Sequence, residues 1–405
     1  MKKNISLEEA QGLIMEHCSP PKTEDVALQD SLGRVLAKDI KAEENIPPFA
    51  RSPYDGYVVR AEDTRGASQD RPVSLEVIEE VPAGYAPKKK ITPGTAVKIL
   101  TGAPIPEGGD AVIKFEETVA QGNRVSVFAA LRADENIVPA GEDVAKGDVI
   151  ACRGTVVSPP LLGLMASLGF TRVPVYQPPR IALISTGDEL LDIHEPLQPG
   201  KIRNSNSYTL AAYCREIGAQ PLIMGTPGDK VEEVALKLQE GLEQADMVIT
   251  TGGVSVGDYD VLGEAVEYIG AQTLYWKIDI KPGAPNLTAV KEGKVILSLS
   301  GNPASALVIF HLLGVPFLKK LAGRADYLHA RIAVTLLNGF RKASPRRRFL
   351  RGKLRIEKDK AFMEITGEQG NGVLRSMIGC DLLAEIPAGS GPLEAGSQLS
   401  AYLIK

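Results

Sequence analysis

Residues 246–260 read DMVITTGGVSVGDYD, and this stretch decides the fold. Asp246–Thr251 is an apolar run of strand length. It breaks into a polar, glycine-bearing loop, Thr251-Gly252-Gly253-Val254-Ser255-Val256-Gly257-Asp258-Tyr259-Asp260. A strand with no polar alternation is one covered on both faces, as in a parallel sheet flanked by helices. The flanks repeat this grammar. Upstream come a strand at Ile181–Ser185, a helix over Asn206–Ile217 stopped by Gly218, and a strand at Pro221–Gly225. The next helix carries Val231, Val234, Ala235, Leu238 and Leu242 on one face. Downstream come a helix over Val261–Ile269, strands at Leu274–Ile280 and Val295–Leu299, and a long helix over Ala304–Leu321. Strand–helix alternation from 180 to 321 predicts a mostly parallel, doubly wound α/β domain.

On either side the pattern changes. Ser6 with Glu9 forms a capping box, and Leu7, Ala10, Leu13, Ile14 and His17 share a helical face, so a short helix is expected there. From about 40 to 157, short β-rich runs (Val73–Val81, Ala96–Leu100, Ala111–Phe115, Arg124–Phe128) alternate with proline and glycine turns. Ser158-Pro159-Pro160, closed by Gly169, marks a further helix. Beyond about 328 short strands return. The fold class expected is therefore multidomain α/β and β. It comprises 1–45 packing with 146–178, an inserted β module at 46–145, the α/β domain at 179–326 and a small C-terminal β domain at 327–405.

Composition removes several function classes. The 405 residues hold 46 basic and 50 acidic side chains, a net charge of −4, which is a poor basis for sequence-blind nucleic-acid binding. No run of about 18 apolar residues is evident, and no apolar segment follows the basic start, so neither a membrane span nor a signal peptide is expected. A cytoplasmic location follows as an expectation. Cys18, Cys152, Cys214 and Cys380 are scattered, as are His17, His194, His311 and His329. That pattern suggests reduced packing thiols and neither a zinc site nor a Cys–His nucleophile pair. Catalysis then falls to carboxylates, lysines and backbone amides.

Four polar loops follow central strands: Thr186-Gly187-Asp188-Glu189-Leu190, the 251–260 loop, Lys281-Pro282-Gly283, and Ser300-Gly301-Asn302-Pro303. Open α/β sheets bind ligands at the carboxyl ends of their strands. There, glycine lets backbone N–H groups approach an anion, and helix N-termini add positive charge. Any one loop could be an ordinary turn; four together favour a phosphate-containing ligand. Asp188, Glu189, Asp258 and Asp260 are too many carboxylates for a bare phosphate pocket, which points to a bridging hard cation such as Mg²⁺. Lys277 and Lys281 fall on one face of their expected strand by its period of two. The turns at 47–57, 100–108 and 139–143 read individually as hairpin loops. The basic run from Arg341 to Arg355, including Arg346, Arg347, Arg348 and Arg351, reads as a solvated strand edge sooner than as an anion site.

Taken in order, PPFARSPYDGY, TGAPIPEGGDAV, PAGED, STGDEL, TTGGVSVGDYD, KIDIKPG and SGNPAS resemble the signature segments of the molybdopterin molybdenumtransferases, the family that includes the E domain of gephyrin. Seven ordered motifs along essentially the whole chain are far more specific than one glycine loop. The resemblance implies insertion of molybdate or tungstate into adenylylated molybdopterin, with Mg²⁺ and release of AMP, as the final step of molybdenum-cofactor synthesis. It implies an obligate homodimer whose active site is shared between subunits, and the preceding adenylyltransferase as a partner. Asp55, Asp143, Glu189, Asp229, Asp260, Lys277 and Lys281 would be catalytic, with Glu189, Asp229 and Asp260 on the metal. Thr101, Thr186, Gly187, Asp188, Gly252, Gly253, Ser255, Gly301, Asn302, Pro303 and Arg351 would bind the pterin and its phosphates.

The chain departs from the family pattern at three places. Pro53-Tyr54 stands where Ala-Met is usual, Ala284 where a lysine is common, and Ser300 where a proline is common. The Ala284 change removes a positive charge from the expected oxyanion pocket. Two other functions are compatible with parts of the sequence: a non-catalytic scaffold that binds a partner peptide, and an unrelated Mg²⁺-dependent nucleotide enzyme. The acidic set argues against the first, and the β module is left unexplained by the second.

Overall fold

The computed structural model describes residues 2–19, 21–254 and 261–405. The chain divides into two compact units. One comprises residues 1–38, 153–158 and 173–405, and the other residues 39–152 with 159–172.

The first unit is built on a seven-stranded sheet. Its strands, in spatial order, are Lys2–Ile5, Gln272–Ile278, Leu287–Lys291, Lys294–Leu299, Met247–Thr251, Arg180–Ser185 and Gln220–Ile223. The last four of these run parallel. The strand Leu287–Lys291 is antiparallel to both neighbours, so Gln272–Ile278 again points the same way as the parallel set. Side chains alternate between the two faces. Ile181, Leu183, Met247 and Ile249 pack with the helices Leu7–Met15, Asn206–Ile217 and Pro303–Leu321. Ala182, Ile184, Val248 and Ile296 pack with Val231–Gln244 and Val261–Tyr268. The doubly covered sheet read from the apolar strands is thus present, with a hairpin that the sequence reading did not include.

Local signals set most helix ends. The Ser6 side chain accepts the Glu9 N–H, and Gly218 closes Asn206–Ile217 in the left-handed conformation at φ 89°. By length and composition alone the helix Pro303–Leu321 is long and apolar enough to cross a membrane. Ser305, His311 and two lysines interrupt its apolar character in sequence, yet 89% of the apolar stretch is buried within the fold. It widens to a π-helical segment at Phe310–Gly314, just before Pro316. Proline has no N–H for the Leu312 carbonyl. The Gln11 side chain donates to that oxygen instead, at 2.9 Å, and His329 Nε2 lies 2.8 Å from the His311 carbonyl.

The C-terminal strands Arg331–Leu336, Arg347–Glu357, Lys360–Ile365, Leu382–Ile386 and Gln398–Leu403 close on themselves, because Arg347–Glu357 pairs with both Lys360–Ile365 and Leu382–Ile386. The two-residue strand Ile280–Lys281 adds beside Arg347 and Arg348. The basic run is therefore not a strand edge, contrary to the reading from sequence. Arg348 and Arg351 are buried, and Arg347 pairs with Glu8 and Glu385.

The second unit holds a six-stranded sheet in the order Ala111–Lys114, Gly56–Val59, Thr95–Ile99, Val73–Val81, Arg124–Val127 and Thr118–Gln121. All four β runs expected between 73 and 128 appear in it.

Candidate functional site

The parallel strands bring three of the four loops together directly. Arg180–Ser185 has Gln220–Ile223 on one side and Met247–Thr251 on the other, so the chain reverses its winding there. Loops that diverge from such a switch point leave a crevice for ligand. At this edge the Thr186 N–H donates to the Thr251 carbonyl, and the Gly252 N–H to the Leu299 carbonyl. A Cβ on Gly252 would lie 2.2 Å from the Thr186 carbonyl oxygen, and one on Gly301 would lie 3.4 Å from the Gly252 Cα. Gly252 also has φ 91°. Glycine is needed here because two backbones meet. Among the described residues the buried Thr186 hydroxyl has no hydrogen-bond partner.

Beneath these loops lies a buried polar network absent from the sequence reading. Ser185 Oγ is 2.8 Å from both Ser207 Oγ and Thr251 Oγ1, and it donates to Asn204 Oδ1 at 3.2 Å. Asn206 Nδ2 donates to the Gly301 carbonyl at 2.9 Å, tying the first turn of its helix to the loop. The signal was the polar run Arg203-Asn204-Ser205-Asn206-Ser207, whose cluster of side-chain amides and hydroxyls precedes an apolar helix.

The acidic residues separate into those the structure joins and those it leaves apart. The Asp229 N–H donates to Asp188 Oδ1 at 3.2 Å, and the Asp188 N–H to Asp229 Oδ2 at 3.4 Å. Each carboxylate keeps one oxygen outside this reciprocal pair. Gly228 permits the approach, since a Cβ there would lie 2.8 Å from Asp188 Oδ1. Glu189 folds its carboxylate over Gly187, which has φ 144°. These are hard oxygen donors suited to Mg²⁺. Among the described residues, no three His, Cys, Asp or Glu side chains converge on one point. Ser255, Asp258 and Asp260 lie outside the described residues.

Lys277 and Lys281 do not share a strand face, contrary to the period-of-two reading. The strand ends at Ile278, Lys277 takes φ 69°, and Lys281 belongs to the strand that joins the C-terminal barrel. A positive φ at lysine is a strained conformation of the kind found at functional sites. Lys277 Nζ lies 3.9 Å from the centre of the Trp276 ring. The turn that follows is fixed by Asn286, whose side-chain amide donates to the carbonyls of Gly283 (2.9 Å) and Ala284 (3.1 Å). Gly283 packs against the helix behind the Asn302–Pro303 loop, where a Cβ would meet Ile309 and the Ser305 carbonyl.

Arg351 completes this side. It is fully buried, and its Nη2 donates to the carbonyls of Glu368 (3.4 Å) and Gly370 (3.1 Å). Among the described residues its Nε and Nη1 have no partner. The loop it holds touches the Asn302–Ser305 turn, because the Ser305 N–H donates to the Asn371 carbonyl at 3.1 Å. Burial lowers the guanidinium pKa to about 10, which still leaves it charged near neutrality. A buried guanidinium with N–H donors to spare has the chemistry to receive an anion.

In the second unit, three turns that read as separate hairpin loops are stitched side by side. Arg51 bridges to Pro104 and to Val138, and Ile46 bridges to Val144. The Asp143 N–H donates to the Ile46 carbonyl, next to the cis Ile46–Pro47 bond, and leaves the Asp143 side chain exposed. Asp55 Oδ1 accepts the Thr101 N–H at 2.7 Å and its hydroxyl at 2.8 Å. These two bonds hold the Asp55 carboxyl below its ordinary pKa.

Comparison with known proteins matches this chain along its length. Residues 5–169 match the MoeA N-terminal region (domain I and II), 182–320 a probable molybdopterin binding domain, and 333–404 the MoeA C-terminal region (domain IV). The molybdopterin molybdenumtransferase of Bacillus subtilis is 37% identical over 99% of this chain and 94% of its own. This chain belongs to the molybdopterin molybdenumtransferase family. The Staphylococcus epidermidis member is 35% identical over 98% of this chain and 95% of its own. The crystal structure of a molybdopterin biosynthesis MoeA protein from Pyrococcus horikoshii superimposes with a TM-score of 0.85 at 32% identity, covering 99% of this chain and 100% of that one.

Proposed function

We propose that the chain inserts molybdate, or tungstate, into adenylylated molybdopterin with release of AMP, as the last step of molybdenum-cofactor synthesis. The observation that carries this reading is Arg351, a buried cation with two unpartnered N–H groups beside the Asn302–Ser305 turn. Lys277, Lys281 and Arg351 would bind the oxyanion and the terminal phosphate. Thr186, Gly187, Asp188, Gly252, Gly253, Ser255, Gly301, Asn302 and Pro303 would cradle the pterin and its phosphates through backbone N–H groups and short side chains. Glu189, Asp229 and Asp260 would hold Mg²⁺, which supplies charge neutralisation at the phosphoanhydride that is cleaved. Asp188, paired with Asp229, would orient that carboxylate. The sulfur ligands for the incoming metal belong to the pterin dithiolene, so no catalytic cysteine is needed. Positioning and electrostatic preorganisation supply most of the acceleration in such a site.

Asp55, Thr101 and Asp143 belong to the same reaction in this proposal, contributed by a second copy of the chain in a homodimer. The four-part domain division at 45, 145, 178 and 326 and a cytoplasmic location are further parts of it, as is the adenylyltransferase partner. The deciding experiment incubates the purified protein with adenylylated molybdopterin, with and without Mg²⁺ and either oxyanion. AMP release that requires both is expected. A folded protein that releases none with either oxyanion would leave the scaffold reading in its place. Refolding Asp55→Ala together with Asp229→Ala tests the sharing. Mixed dimers regain activity, to about a quarter of wild type, only if each site draws on both chains.

A further inference from the structure

Away from the strand-end loops, the first unit contains a cavity of about 460 Å³ between the helices Asn206–Ile217 and Pro303–Leu321 and the chain near residues 377–380 and 403–405. That volume is within the range of small-molecule sites. Its walls divide by chemistry. Ile217, Val315, Met377 and Leu403 present an apolar surface. Lys319, one turn after Val315 on the same helix, and Arg324 add cationic groups to the wall, with Glu216 the carboxylate side chain among the lining residues. Arg324 is held by both Asp326 oxygens, at 2.9 and 2.6 Å. Lys319 is partly buried, and among the described residues its ammonium has no ion pair or hydrogen bond. Burial and the nearby Arg324 charge lower its pKa, and Asp326 offsets this in part.

His311 forms part of the inner wall. It lies in the π-helical segment, is 2% exposed, and among the described residues neither of its ring nitrogens has a hydrogen-bond partner. The ring of Tyr213 stands edge-on to it, with centroids 4.7 Å apart. Single-turn π segments are frequent at functional sites, since they displace one residue from the regular ladder. A buried imidazole without a partner carries an uncompensated desolvation cost.

We propose that this cavity binds a small amphipathic organic anion, with an apolar body against Ile217, Val315 and Leu403 and one carboxylate or phosphate group at Lys319. Neither half of the wall accounts for the other. An inorganic anion would leave the apolar surface wet, and a neutral hydrocarbon would leave Lys319 uncompensated. The inference is independent of the transferase reaction.

The test is calorimetric titration of the full chain with benzoate and with phenyl phosphate, using inorganic phosphate and benzyl alcohol as the separate halves. Saturable binding of one aromatic anion per chain is expected, and the tighter of the two names the anionic group. Lys319→Met should weaken it by about tenfold or more, and Lys319→Arg should restore most of the loss. Ala212→Trp, at an exposed position on the cavity wall, should abolish binding without lowering the melting temperature. The proposal is overturned if neither anion saturates, if inorganic phosphate binds as tightly as the better anion, or if both Lys319→Met and Ala212→Trp bind as wild type does.

Discussion

Asp55 sits exposed in a turn of the β module with one carboxylate oxygen held by two donors from Thr101, whereas Arg351 is wholly buried in the C-terminal barrel with two guanidinium nitrogens that have no partner among the described residues. Both are expected to meet charged ligand atoms. The first is oriented at little cost because water still solvates it. The second has already lost its water, recovers part of the loss through the Glu368 and Gly370 carbonyls, and on the proposed reading would recover more from an anion. The difference separates residues whose removal costs function alone from those whose removal exchanges stability against function.

Arg351→Leu breaks the comparison most severely. Oxyanion-dependent AMP release should fall by about 10²–10³-fold, the scale of losing a preorganised charge donor. Urea unfolding should meanwhile show equal or greater stability, since an apolar side chain replaces an unpaired buried cation. A large loss of stability would show that Arg351 is a structural residue satisfied by the protein itself.

Asp55→Asn should reduce turnover by about 10–10²-fold with no change in stability, because the side chain is exposed. The lowered pKa sharpens this. Thr101→Val removes the hydroxyl donor, so the Asp55 carboxyl should titrate at higher pH than in wild type. Carbon-detected NMR titration of Asp55 checks the shift, and an unchanged titration would assign the lowered pKa to the backbone N–H alone.

His311 supplies a third case, buried and partnerless but neutral. Burial pushes its folded pKa down to about 3 from an ordinary 6.5. The unfolded chain therefore binds a proton between those values that the folded chain refuses, and stability falls as pH falls through that window. Between pH 7 and pH 5 the loss attributable to this group is about 2 kcal/mol. His311→Leu should lack it, so the variant gains on wild type in acid. Parallel unfolding curves at the two pH values would refute the assignment.

The smallest effect is expected at Ala284, next to the turn fixed by Asn286. Ala284→Lys should tighten molybdate binding a few-fold, about 1 kcal/mol for a charge pair near the surface. Equal or weaker binding would show that this position faces away from the oxyanion.

The sequence showed the strand ends at Ser185, Thr251 and Leu299 because each is an apolar run broken by glycine, a signal carried entirely by neighbours in the chain. It did not show the strand Lys2–Ile5, whose Lys2-Lys3-Asn4 start is polar because it forms the sheet's edge. Nor did it show Leu287–Lys291, which follows a proline turn. The fate of the basic run was invisible for a different reason. Arg348 and Arg351 are buried only because the barrel closes between residues 347–357 and 382–386, and closure is not a local property. Lys277 and Lys281 parted company through one positive φ that no alternation pattern encodes. Family resemblance supplied Asp229 and Arg351 where spacing could not. The structure joins each of them to a neighbour in the candidate site.

The pairing of Lys2 with Tyr275 sets an order on how the chain can be made. The amino-terminal strand leaves the ribosome first, yet its hydrogen-bonding partner lies in the last third of the molecule. At ordinary rates of synthesis, about 5–20 residues per second, the strand waits on the order of tens of seconds with its edge unpaired. The 39–152 stretch, by contrast, has every strand partner within itself and can fold while that wait continues. Two like charges at Lys2 and Lys3 are suited to this interval, since lysines on an unpaired strand discourage it from adding to another chain. The same residues then become the edge of the finished sheet, where they serve that purpose for the life of the protein.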